Sequence, residues 1–150
     1  AAHAEARAAR PGPLEVALMA SDYDNIYIAI RNALVNNADV AAAVGSRVYN
    51  LWRTGTASTY QRINIGYISD TVNENDIRQQ LWQISIFDDD RDVLNAQAVS
   101  LLVEKVLHWT SLSVTGWTNY WIVKAASRVV GIDGDIAHVA DDYLVTIREG

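Results

Sequence analysis

Apolar residues recur at helical spacing early in the chain. Ile26, Ala29, Ile30, Ala33 and Leu34 fall on one face, with Arg31 and Asn32 on the other. Asp22 or Asp24 lies ahead of that run, where a carboxylate can cap a helix by accepting its orphan amide protons. The pair Asn36-Asn37 ends the helix. A short second turn over residues 39–43 closes at Gly45, and Arg47-Val48-Tyr49 leads into a strand. Residues 55–60 (GTASTY) are small and polar without period, and read as a loop.

Alternation of period two follows. Ile63, Ile65 and Tyr67 share one face against Arg62 and Asn64, and Trp82, Ile84 and Ile86 share one against Gln83 and Ser85. The polar stretch 71–78 between them is a hairpin tip. Asp88-Asp89-Asp90 then precedes the clearest helix, predicted over 91–109. Carboxylates at a helix N-terminus satisfy its amides and oppose its dipole, so capping is preferred over metal binding for this triplet. Within the helix Leu94, Ala98, Leu102 and Val106 form a stripe, with Gln97, Ser100, Glu104 and His108 opposite, which predicts a helix lying flat on a sheet.

Residues 117–130 (WTNYWIVKAASRVV) are aromatic and β-branched, a long strand with a bend or bulge near Ala125-Ala126. A turn region over 131–142 precedes a closing strand in which Tyr143, Val145 and Ile147 alternate with Thr146 and Arg148. The order predicts an α+β fold, an antiparallel sheet covered by two helices. Pro11-Gly12-Pro13 interrupts the opening segment, so residues 1–20 are expected to form an arm outside a single domain over 21–150.

Composition narrows the chemistry. The chain has 150 residues, a formal net charge of -6 and no cysteine. Absent cysteine excludes a disulfide scaffold, a thiolate metal site and thiol catalysis. The acidic balance, without any run of basic residues, argues against broad binding to a phosphate backbone. Glu5, Arg7, Arg10 and Glu15 break up any secretory h-region, and the longest uncharged stretch, 106–123, is too polar for a membrane span. No phosphate-cradling glycine loop occurs. The three histidines, His3, His108 and His138, have neither metal-ligand spacing nor a neighbouring nucleophile motif. A calcium-loop count from Asp133 puts His138 where the turn glycine belongs and Leu144 where the bidentate acid belongs, so that pattern fails. No cofactor or metal is expected, and no enzymatic activity.

Five tryptophans and seven tyrosines stand against one phenylalanine. Trp and Tyr combine apolar area with a polar handle and suit interfaces. Trp52, Arg53, Trp117, Tyr120 and Trp121 are the candidate subunit contacts. For the long strand, burial between sheet and helices is the competing reading.

Three segments carry a resemblance: 32–50 (NALVNNADVAAAVGSRVYN), 81–108 (LWQISIFDDDRDVLNAQAVSLLVEKVLH) and the closing YLVTIRE. Together with the element order they resemble the tail terminator proteins of long-tailed bacteriophages, also called tail completion or minor tail proteins, over about residues 22–149. Relatives often carry prolines where this chain has GTASTYQRI, and residues 1–20 have no counterpart. The resemblance implies a non-enzymatic virion protein. Its subunits form a homo-oligomeric ring, typically a hexamer, at the head-proximal end of the tail, after assembly in the host cytoplasm. The implied partners are the tail tube protein and the head–tail connector protein, with DNA passing through the lumen unbound. An acidic lumen would repel that DNA. A head–tail connector or head-completion protein, a tube subunit, and an unrelated enzyme or small-ligand module are the alternatives.

Overall fold

The computed structural model describes residues 13–51, 60–73, 75–89 and 93–149. Its elements are α1 (Pro13–Val35), α2 (Ala38–Val44), β1 (Val48–Asn50), β2 (Arg62–Val72), β3 (Ile77–Asp88), α3 (Val93–Leu107), β4 (Ser113–Val114), β5 (Trp117–Asp133) and β6 (Ile136–Glu149). The six strands form one sheet in the order β1-β2-β3-β6-β5-β4. No described helix is long and apolar enough to cross a membrane.

Two expectations need correction. The sheet is mixed, because β1 pairs with β2 in parallel, Val48 beside Ile63 and Asn50 beside Ile65, while every other pairing is antiparallel. A parallel neighbour requires a connection long enough to return to the same end, and the eleven residues between Asn50 and Arg62 supply it. The helices number three among the described residues, not two. Asn37 caps α2, its side chain accepting from the amides of Asp39 and Val40 at 3.0 and 3.1 Å. The three helices pack on one another, α1 against β1, β2 and β4, and α3 against β3, β5 and β6.

Helix α1 spans Pro13–Val35, so Asp22 and Asp24 lie within it and not ahead of it. Proline is well suited to a first helical position, since its missing amide proton would be an orphan there. Of the expected arm, residues 1–12 lie outside the described residues and 13–20 are the first turns of α1.

The α3 stripe is also rotated from its expected place. Ala96, Val99, Ser100, Val103 and Leu107 are buried. Leu94 is 65% exposed, Ala98 is exposed, and Leu102 and Val106 are only partly covered. Apolar residues occupy more than one face of this helix, and a buried acceptor on the sheet draws Ser100 inward. Asp88 belongs to β3 and accepts from the Gln61 side chain, and residues 90–92 lie outside the description, so the triplet's capping role is not seen for its first member.

The core joins Ile26, Ile30 and Leu34 of α1 and Val103 and Leu107 of α3 to Ile63, Ile65, Ile84, Ile86, Tyr143, Val145 and Ile147 of the sheet. Each such aliphatic side chain contributes about 1.5–3 kcal/mol when fully buried. Both later hairpins are tighter than the sequence predicts. Strands β2 and β3 run to Val72 and Ile77, where the Asn73 side chain accepts from the amides of Asn75 and Ile77. Strands β5 and β6 meet across Gly134-Asp135, with Gly134 at φ 61, a left-handed value that a two-residue hairpin loop requires and glycine supplies.

Candidate assembly surface

Strand β5 places the aromatic side chains. Its register against β6 slips between Asn119 and Trp121, Lys124 and Ala126, and Val129 and Gly131. The second slip falls at the expected bend. The first decides which rings stay inside. Asn119 is buried, donates from Nδ2 to the carbonyls of Trp121 and Thr146, and accepts at Oδ1 from the Leu112 amide. This holds Tyr120 as an extra residue, and the alternation of inward and outward side chains breaks there.

The expected interface residues therefore separate. Trp117 is only 8% exposed and packs in the core, with the Arg78 guanidinium 5.8 Å from its ring centre. Tyr120 and Trp121, 5.9 Å apart between ring centres, are 36% and 45% exposed. They wall a hollow of about 600 Å³ completed by Thr71, Ile77 and Gln79 of the β2–β3 hairpin. Trp52 and Arg53 lie outside the described residues.

Three further groups are exposed, of which the sequence marks only Trp109, one of the surplus aromatic residues. Trp109 is 68% exposed just past α3, at φ 62, its amide donating to the Ile122 carbonyl. Leu101 on the outer side of α3 is 57% exposed. Val129, Val130 and Ile132, near the end of β5, are about half exposed. Their β-branched character signals a strand, but only the sheet order reveals that this strand lies so near the margin.

A polar cluster lies under α3. Asp141 is fully buried and accepts from Ser100 Oγ and Ser127 Oγ, each at 2.5 Å. Lys124 Nζ stands 3.7 Å from Asp141, 3.2 Å from Ser100 Oγ and 2.9 Å from Glu104. The hydrogen bond from Lys124, then its charge, holds the Glu104 carboxyl below the usual carboxylate range. Burial, reinforced by Asp141 and Glu104, pushes the Tyr143 phenol well above its ordinary value. A serine nucleophile needs access and a free base beside it. Here Ser100 is 3% exposed and gives its proton to Asp141, while Lys124 is held by two carboxylates. The cluster ties α3 to the sheet.

Of the two described histidines, His108 is hydrogen-bonded and His138 is held by ring stacking, its Nε2 buried without a hydrogen-bond partner. His108 Nδ1 accepts from the Lys124 amide. His138 stacks on Phe87 with ring centres 4.2 Å apart, and the Arg62 guanidinium lies 4.4 Å from the Phe87 ring centre and 4.6 Å from that of Tyr60. Burial, then the charges of Arg128 and Arg62, lower the pKa of His138. Among the described residues no three acids or histidines come together as a metal site.

The fold has a counterpart among solved structures. A chain of the "Virion of native gene transfer agent (GTA) particle" superposes with a TM-score of 0.74 at 17% identity, over 87% of this chain and 98% of that one. At that identity the likeness is one of fold. No protein-family model matches the sequence, and no curated protein does.

Proposed function

We propose that this chain is a structural virion protein that forms a ring ending the tail tube and joining it to the head connector. The observation that carries this reading is the fold likeness to a chain of a virion particle, which spans nearly the whole of that chain. The resemblance over residues 22–149 supplies the finer role. On this reading the protein has no enzymatic activity. Tyr120 and Trp121, with Trp52 and Arg53, contribute to the subunit contact. Residues 1–20 act as an arm, its last residues running on into α1 of the ring-forming domain, and the acidic chain lets DNA slide through the lumen.

Electron microscopy and native mass measurement of the purified protein test the ring. A strictly monomeric species at high concentration, with no ring in assembled particles, overturns the proposal. Removing the protein separates a terminator from a connector. Overlong tails of uneven length mark the first, and complete but unattached tails mark the second.

A further inference from the structure

Strand β5 is covered on its outer side only along its first half. There β4 pairs with Trp117 and Thr118, Thr110 bridges to Ile122, and the Lys124 amide donates to His108. Residues 125–132 (AASRVVGI) have no outer backbone partner among the described residues. Soluble proteins protect an open edge with charged residues, proline or a covering element, and this stretch has one charge, Arg128.

A row of side chains leads across the sheet to that edge. Arg62, Phe87, His138 and Gly131 stand opposite one another in turn on β2, β3, β6 and β5, and cross-strand partners share a face. Their chain neighbours Ile63, Ile86 and Val139 belong to the core, so the row lies on the face turned away from it. The Phe87 ring centre has the Arg62 guanidinium 4.4 Å away and the His138 ring centre 4.2 Å away. The row stops at Gly131, which has no side chain to lay beside His138, and a Cβ there would meet nothing within 4 Å. This gap belongs to a hollow of about 440 Å³, walled also by Val130, Ile132 and Ile136, with no carboxylate among its described lining residues. Arg128 leaves the same face as Gly131. The two stand opposite Ala140 and His138, two positions apart on β6, with Val130 as the surplus residue between them. Arg128 meets Asp142 at 3.0 Å and keeps half of its side chain in water.

We infer that residues 125–132 of β5 take an extended segment of another protein, which adds a strand, lays an aromatic ring over Gly131 beside His138, and sets a carboxylate against Arg128. Unpaired amides and carbonyls along an edge call for an extended chain, and strand addition draws affinity from the main chain and specificity from pockets for alternate side chains. A ring from a neighbouring strand covers the bare backbone of an edge glycine. Charge selects the second residue, since Arg128 is the single charge on this edge and no carboxylate lines the hollow. An antiparallel segment continues the alternation of β2, β3, β6 and β5, which puts the ring two positions ahead of the acid. The longer segments of this chain outside the described residues do not fit. Residues 1–12 contain no aromatic residue, and residues 52–59 contain no acid. The inference does not rest on the ring reading.

A fluorophore-labelled peptide, Ser-Thr-Trp-Thr-Asp-Thr-Ser, titrated against the full chain tests it by anisotropy, with amide hydrogen exchange to locate the contact. The expected result is saturable binding that slows exchange at residues 125–132. Replacing the peptide's Trp by Ala weakens binding about tenfold. Arg128→Glu weakens binding of the Asp peptide and strengthens binding of the same peptide with Lys in that place. Gly131→Ala narrows the slot and weakens binding of the Trp peptide. Thermal melts check both variants, and the exposed Arg128→Glu decides the matter if Gly131→Ala, at φ 147, does not fold. Absence of saturable binding, equal affinity for the Trp and Ala peptides, indifference to Arg128→Glu, or slowed exchange elsewhere overturns the inference. Protection of residues 125–132 that grows with concentration of the parent chain alone also overturns it, because a second copy then covers the edge. Rings seen by microscopy alongside any of these failures leave the ring reading intact.

Discussion

Ser100 of α3 donates its hydroxyl to Asp141 of β6 at 2.5 Å, and neither side chain reaches water. The bond fixes the rotation of the helix and supplies an acceptor for Lys124 and Ser127 as well. Asp141→Ala removes the centre of the cluster. Taking one partner from a buried charged group costs about 3–5 kcal/mol. Urea denaturation should show that loss. Asp141→Asn keeps an acceptor and should cost less, about 1–3 kcal/mol. A loss below about 1 kcal/mol for Asp141→Ala contradicts the role assigned to the cluster.

Trp117 and Trp121 lie four positions apart and should behave oppositely. Trp117→Ala opens the core and should destabilise the protomer by about 3–5 kcal/mol. Trp121→Ala should leave protomer stability within about 1 kcal/mol and weaken ring formation. Denaturation paired with native mass measurement separates the two effects. Equal loss of stability in both variants would place Trp121 in the core.

Gly134 turns the β5–β6 hairpin at φ 61, and a Cβ there meets nothing within 4 Å. Gly134→Ala therefore probes the backbone alone. It should cost about 1–2 kcal/mol, the penalty for an L-residue in a left-handed conformation. A neutral result in a thermal melt would mean that the turn relaxes to another form.

His138 gives a pH dependence of known sign. Its pKa is lowered in the folded chain by burial first and then by Arg128 and Arg62, so the unfolded chain binds the proton more readily. Its contribution is intact above the unfolded value of about 6.5 and is lost as pH falls through that value toward the folded pKa. Thermal melts at about pH 7.5 and about pH 5.5 should show a smaller acid loss for His138→Asn than for the parent chain. An equal loss would assign the dependence to other groups.

Much of this architecture is legible from period alone. Trp82, Ile84 and Ile86 alternate and lie buried on β3, and Ile26, Ile30 and Leu34 repeat at helical spacing and lie buried on α1. Pairing between distant segments is not legible. The parallel placement of β1 depends on a connection rather than on any residue in it, and the inward turn of Ser100 depends on a carboxylate 41 positions away. The candidate surface was half readable. Aromatic content marked 117–121 as special, but the bulge that sends Trp117 inward and Trp121 outward is held by Asn119 through bonds to Leu112 and Thr146. The open edge of β5 is a property of strand order, which local sequence does not encode.

The β5–β6 hairpin pairs 17 residues against 14. The three extra residues, Tyr120, Ala125 and Val130, all lie on the outer strand and are spaced along its length. Two tracks of unequal length laid side by side cannot stay straight, and the longer one takes the outside of the bend. The arc of this hairpin is thus written as a surplus of residues, five positions between one and the next. The curve needs no partner to impose it: it is fixed within the protomer by where one strand counts three more than its neighbour.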